Sequence, residues 1–410
     1  MQEQRNDAAR RPALTRLDTV DVLRGLSIGA VVLLHILIRF SFAGVHLGAD
    51  WPKLARRIVF FNGGNGVTVF FAVSGFLITL TSLRRFGSLA AMRPAIFYRI
   101  RFARIMPLLL LLLAVLSVLH LAHVDGYVVN ARHFTLARAL FSALTFHLNW
   151  LEASRDAWLP ACWTVLWSLS IEEMFYLFFP LACVLLLRRG RWGAVAWLGV
   201  ALLLVALGPP ARTAWSHTDL WRENSYLGGM ASIALGCLTA WITDAAIRTR
   251  KTRTWTRKTR TWVTWMAQIA GIALIVLIEI WPKWPLMKML GKTGLDDTMV
   301  ALSVCLIVFA TTVRSAHSSR LGVAGSRLTA PLRWFGRHSY EVYLSHEFLV
   351  IAGIELFARC YPHGTSRVLI ALFVVAILAL TAPLGWALAK LFSEPLNRKL
   401  RGAAPAAVTA

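Results

Sequence analysis

The sequence predicts an all-α, polytopic membrane helix bundle of about ten transmembrane helices, with both termini cytoplasmic. Three observations carry this. Hydrophobic residues make up 57% of the 410 residues, and the mean hydropathy is +0.59. Apolar runs near the length that crosses a hydrocarbon core recur along the chain. The formal net charge of +24 comes from 44 Lys and Arg against 20 Asp and Glu. Most of those cations lie in short segments between apolar runs, which in a membrane protein is a topology signal. No zinc-finger spacing or RNA-binding motif is present, so the basicity does not indicate nucleic acid.

The predicted spans are 22–42, 66–83, 105–122, 163–187, 193–208, 226–243, 265–281, 298–313, 338–358 and 368–389. With the N-terminus inside, the cytoplasmic segments hold about 29 Lys and Arg and the opposite side about 13, the asymmetry that the positive-inside rule requires. The polar first sixteen residues carry Arg5, Arg10, Arg11 and Arg16 without a small-residue cleavage site. The first span therefore reads as an uncleaved signal anchor, and a bacterial cytoplasmic (inner) membrane is the simplest address. The expected organisation is a cytoplasmic tail over 1–21, one transmembrane domain over 22–391 and a cytoplasmic tail over 392–410, whose small residues from Gly402 onward read as disordered.

Several features read as structural. Cys162, Cys183, Cys237, Cys305 and Cys360 are scattered and imply no disulfide framework. Residues 249–262 repeat TRKTRTW twice, a basic loop suited to anionic headgroups. The long external connection over 123–162 holds His123, His133 and His147 without regular metal-ligand spacing, so no metal is expected.

Arg24 and His35 stand out because ionisable groups inside a span are costly and mark function by default. Eleven residues return nearly to the same azimuth with a rise of roughly 16 Å. One face of the first span therefore carries a cation near its start and an imidazole deep in the bilayer. The spans also contain Glu172, Glu173, His346 and Glu347. Counting along the helices puts His35 roughly 10 Å and Glu172 roughly 13 Å below the external face. A carboxylate at that depth would fix the imidazole tautomer and raise its basicity. Glu172 and Glu173 point about 100° apart, so only one of them faces that partner. Arg99, Arg101 and Arg104 precede Pro107 at the start of the third span; they fit either interfacial anchoring or a clamp for phosphate oxygens. No Walker A loop is present.

These residues sit in segments that together resemble the acyltransferase-3 family of integral-membrane acyltransferases, which includes bacterial surface-carbohydrate O-acetyltransferases. The segments are DVLRGLSIGAVVLLH (21–35), GVTVFFAVSGFLIT (66–79), RFARIMP (101–107), WSLSIEEMFYLFFPL (167–181), GRHSYEVYLSH (336–346) and SEPLNRKLR (393–401). Six such segments in order make the resemblance specific. It implies ten core spans, an acyl-CoA donor (acetyl-CoA or a relative) used from the cytoplasm, and a carbohydrate or lipid-linked glycan as acceptor. The family's Arg-x10-His motif falls on Arg24 and His35, and its motif glutamate falls on Glu172. Thr68 departs from the pattern, standing where many members carry an acidic residue.

The expected catalytic residues are thus His35, as general base or as nucleophile, and Glu172, which orients or charge-balances it. Arg24, Arg101 and Arg104 are the expected acyl-CoA-binding residues. Ser74, His346 and Trp167 are candidate substrate or oxyanion contacts, with close helix packing the alternative role for the Ser74–Gly75 pair. No permanently bound cofactor is expected. A transporter or flippase using a His/Glu proton relay, and acylation of a small-molecule glycoside such as a macrolide, are the competing functions.

Overall fold

The computed structural model describes residues 17–48, 51–60, 63–214, 218–248, 256–280, 284–316, 326–361 and 366–402. Among them every regular element is a helix. The long helices are α1 (Asp18–Phe42), α3 (Gly63–Phe86), α4 (Pro94–Leu121), α7 (Leu166–Leu187), α8 (Gly190–Thr213), α10 (Tyr226–Arg248), α11 (Arg257–Ile280), α13 (Leu295–Ser315), α15 (Ser339–Cys360) and α16 (Arg367–Leu388). Shorter helices fill the connections: α2 (Lys53–Phe60), α5 (Leu136–Leu144), α6 (Leu148–Arg155), α9 (Asp219–Asn224), α12 (Pro285–Thr293), α14 (Ala330–Arg337) and α17 (Glu394–Arg401).

Each of the ten expected spans coincides with a long helix. Nine described stretches are long and apolar enough to cross a membrane. The exception is α15, which carries Glu341, Glu347, Glu355 and Arg359. Its polar residues Ser345, His346 and Glu347 are buried, so the helix needs an interior position rather than an apolar surface. Helix α4 starts eleven residues before the apolar run does, at Pro94 in its first turn; a proline is well tolerated there because its missing N–H has no helical partner to lose. The arginines 99, 101 and 104 therefore ride on the helix itself.

Helix α3 lies at the centre, packed against α1, α7, α10 and α13. Its contact with α10 depends on two glycines. A Cβ at Gly75 would run into the Ile233 carbonyl, and one at Gly236 into the Ala72 carbonyl. Their absence lets the two backbones touch, the small-residue packing that substitutes for hydrophobic driving force in lipid. On the flank, α14 packs against the start of α1, where Arg333 and Arg337 reach Asp18 and Asp21, each at 3.5 Å. Past α16 a π-turn over Ala389–Ser393 leads into α17, which lies on α4, so helix continues through Arg401. The first sixteen residues, the first heptapeptide copy (249–255) and the tail from 403 lie outside the described residues.

The long connection over 123–162 folds onto the bundle. Leu148, Leu151 and Leu159, with the adjoining Trp163, join the core formed by Leu109, Leu112 and Leu116 of α4. Within it Glu152 is fully buried, accepting from the Leu159 N–H at 3.0 Å and from Asn224 Nδ2 at 3.2 Å. Asn149 Nδ2 donates to the Asn224 carbonyl at 2.8 Å. These bonds tie α6 to α9, and burial pushes the Glu152 carboxyl well above the usual carboxylate range. With the folded pKa above the unfolded one, its contribution to stability is complete below the unfolded value and declines as pH rises through the folded value. Thermal unfolding across pH should show Glu152→Gln lacking this alkaline loss, and Glu152→Ala less stable by about 1–3 kcal/mol for the donors it strands.

Candidate active site

The motif residues separate into two centres along α1. The first surrounds Arg24, whose Nη2 donates to Ser339 Oγ at 2.7 Å. Arg104, Asp21 and Glu172 lie within its electrostatic reach. Arg101 lies over the Tyr176 ring, 3.7 Å from its centroid, with Nη2 3.9 Å from Glu173 Oε1. Glu172 accepts from Ser74 Oγ at 2.6 Å and feels Arg101, Arg24 and Arg104 together. Three guanidinium groups thus face Glu172 and Glu173, while Asp21 is shared with a fourth, Arg337. The surplus positive charge in a poorly hydrated interior is what a phosphate would neutralise.

A small cavity of about 380 Å³ opens beside Arg104, bounded by Arg337, Lys390, Trp386 and the stacked pair Trp334–His338. The two rings of that pair are 4.3 Å apart with 28° between their planes.

The second centre surrounds His35, about 16 Å along the helix. His346 Nδ1 lies 2.8 Å from the Tyr343 carbonyl and 3.2 Å from that of Val342. Carbonyls only accept, so this nitrogen carries the proton and Nε2 of the neutral ring is an acceptor. That Nε2 is 3.1 Å from His35 Nδ1, which must then be the donor, with the Val31 carbonyl also at 3.0 Å. In the neutral ring, His35 Nε2 then holds the lone pair. It faces Glu347 Oε1 at 3.5 Å, while Arg39 Nη2 and Nε approach Glu347 Oε2 at 3.3 and 3.4 Å. The chain Arg39–Glu347–His35–His346 therefore fixes one imidazole tautomer, with a carboxylate in place to stabilise its cation.

The structure brings His35 and His346 together, and it brings Arg24, Arg101 and Arg104 together. It does not bring Glu172 to His35. Helix α7 packs against α3, α4, α8 and α10, whereas α15 lies against α1. Equal depth in the bilayer left the lateral neighbour undetermined, and the carboxylate beside His35 is Glu347. Ser74 is bonded to Glu172 instead of facing the imidazoles, and Gly75 next to it supplies the close packing. Trp167 lines a separate, larger cavity with Phe71. Sequence reasoning missed Arg39, although its place four residues after His35 puts it on the same face. Glu347 was visible as a charge within a span but was given no role.

His35, His346 and Glu347 each present a ligand atom within 4.8 Å of the others. The Arg39 charge on the same carboxylate opposes a divalent cation there. Solid-state 15N NMR, with His35 assigned by difference against His35→Gln, should show its ring as the Nδ1–H tautomer. Replacing His346 by Phe should remove that preference.

The acyltransferase-domain family profile matches residues 17–390 of the chain. Over 173 residues the chain is 29% identical to a protein of Staphylococcus aureus strain COL that is named provisionally as an O-acetyltransferase; the match covers 40% of this chain and 26% of that protein. Over 214 residues it is 25% identical to the O-acetyltransferase OatA of S. aureus strain NCTC 8325, covering 50% of this chain and 33% of OatA. The matched region thus spans about a quarter to a third of the length of these relatives. No solved structure matches the chain. With a profile match from the first residue of the described bundle to its π-turn, the chain belongs to the acyltransferase-3 family.

Proposed function

We propose that this protein is an acyl-CoA-dependent O-acyltransferase that moves an acetyl group to a hydroxyl of a cell-surface carbohydrate or glycolipid. The observation that carries the proposal is the position of His35 Nε2, 3.5 Å from Glu347 Oε1 and on the same helical stripe as Arg24. The names of the relatives support acetyl as the group and oxygen as the acceptor atom. The positive-inside asymmetry supports the arginine end as the cytoplasmic side, and the bacterial relatives support a bacterial cytoplasmic (inner) membrane as the location.

In this reading the phosphates of acyl-CoA engage Arg24, Arg101 and Arg104. The adjoining cavity, with its indole and imidazole faces and Lys390, receives the nucleotide end. The pantetheine arm follows α1 toward His35 and brings the thioester to the imidazole. His35 Nε2 then takes the proton of the acceptor hydroxyl as its oxygen attacks the thioester carbon. The C–S bond breaks, the imidazolium returns the proton to the leaving thiolate, and the products are an ester and free CoA. Glu347 stabilises the imidazolium, a charge that exists only during transfer, and the proton on Nδ1 is held by His346. Glu172, bonded to Ser74 among the arginines, belongs to the donor-binding end in this reading and acts there by orienting guanidinium groups.

The test uses membranes with radiolabelled acetyl-CoA and surface glycan. His35→Ala should abolish label transfer, and transfer left intact would overturn the assignment. Glu347→Gln should lower kcat about 100-fold with little change in KM for acetyl-CoA. Arg101→Gln and Arg104→Gln should do the reverse, raising that KM. Chelation by EDTA should leave the rate unchanged. Movement of unmodified glycan without any label transfer would instead indicate a transporter.

A further inference from the structure

We infer that the large polar cavity beside Trp167 is the acceptor subsite, and that it selects an uncharged, hydroxyl-rich sugar ring. The inference rests on the O-acyltransferase reading and adds the place and chemical class of the second substrate.

The cavity measures about 730 Å³, room for a sugar residue together with part of the next. It lies where α3 begins, at the far end of that helix from Arg84 and Arg85. Gly63 packs on Leu34, and Gly66 on Ser27 and Val31, so the stretch of α3 that lines the cavity runs beside the turns of α1 leading to His35. Its aromatic wall is Trp167 and Phe71, with ring centroids 6.2 Å apart. Behind Trp167, Ser168 Oγ is hydrogen-bonded to the Tyr343 hydroxyl at 2.7 Å, and the Tyr343 ring is 6.0 Å from that of His346. The wall of the cavity and the support of the imidazole pair are thus the same layer of side chains.

The opposite wall consists of paired charges. Arg212 Nη1 meets Asp297 Oδ2 at 3.0 Å, and Asp297 Oδ1 accepts from Thr68 Oγ1 at 3.0 Å. Arg222 Nη2 donates to both Asp296 oxygens, at 2.9 and 2.8 Å. Arg212 and Thr68 are buried. The backbone makes room for this array: Gly294 is left-handed (φ 72°), and a Cβ there would press on Arg212 and the Pro209 carbonyl. The carboxylate absent from α3, where Thr68 stands, is thereby delivered from α13.

A carboxylate already bound by one guanidinium keeps free lone pairs, and the guanidinium keeps free N–H groups. The wall therefore presents alternating donors and acceptors, which suits hydroxyls because each is both. Facing it, two aromatic rings offer an apolar surface for the C–H face of the ring, the usual division of a ligand pocket. Charge decides the rest. The lining holds three arginines against four carboxylates, of which Glu223 is held toward its neutral form by burial and by Asp297 and Asp219. With Arg212 and Arg222 already paired, an acidic sugar would add an anion beside carboxylates where no cation is in surplus. Like charges brought together cost affinity.

The experiment measures binding of methyl β-D-glucoside and methyl β-D-glucuronide to the full chain in nanodiscs by saturation-transfer NMR, alongside acetyl-CoA-dependent labelling of surface glycan. The glucoside should bind, and the glucuronide should bind at least about fivefold more weakly. Trp167→Leu should weaken glucoside binding by a similar factor. The conservative Asp296→Asn, which removes one anion without changing shape, should bring the two sugars closer together. Two results overturn the cavity assignment: no glucoside binding while labelling persists, or binding unchanged in both variants. Sugar binding that follows the predicted pattern without any labelling leaves the cavity standing and overturns the transferase reading.

Discussion

The structure turns on one constraint: Glu347 is a buried carboxylate that must be satisfied in a region without bulk water. An unpaired charge there would cost several kcal/mol. Arg39 neutralises one oxygen and His35 faces the other. Both come from α1, one turn apart, so α1 and α15 are held in register at that point. The pair is enclosed by apolar side chains on both helices and on α16, among them Ile36, Phe40, Val350, Phe357 and Ile377. This sleeve explains how α15 accommodates Glu347 inside the bundle, whereas Glu355 and Arg359, toward its end, are exposed; α16 packs alongside it.

The consequences extend in both directions along α1. Toward its start lie Arg24 and the arginines of α4, a centre with excess positive charge. Toward its end, beside the opening turns of α3, lies a cavity in which Arg212 and Arg222 are paired with Asp297 and Asp296, leaving no comparable surplus of positive charge. The imidazole pair stands between two environments of different electrostatic character. In the transferase reading an anionic donor and a neutral acceptor are drawn to different ends and meet at one nitrogen. A device of this kind keeps the substrates from competing for the same pocket without requiring a large motion.

Much of this was legible in the sequence because it is one-dimensional. Apolar run lengths located all ten long helices, and helical periodicity put Arg24 and His35 on one stripe. What was not legible required knowing neighbours. Depth counting ranked Glu172 and His35 together, but depth fixes only one of three coordinates, and α7 proved to be separated from α1 by α3 and α15. Arg39 escaped notice because a cation near the end of a span is ordinarily an interfacial anchor. The helices of the 123–162 connection were hidden for a related reason. Their apolar residues pack on protein and are too few to make a span. The role of Thr68 emerged only once α13 was seen to bring Asp297 alongside it.

The central claim is that the donor thioester comes to rest at His35 while its phosphates rest on the arginine cluster. The most direct measurement is a cryo-electron microscopy structure of the full chain with a non-hydrolysable acetyl-CoA analogue in which a methylene group replaces the thioester sulfur, leaving a ketone with no leaving group. The account predicts phosphate density against Arg24, Arg101 and Arg104, and the acyl carbonyl within reach of His35 Nε2. Density for the analogue elsewhere, or an acyl group seated against Glu172 and Ser74 with His35 untouched, would contradict it.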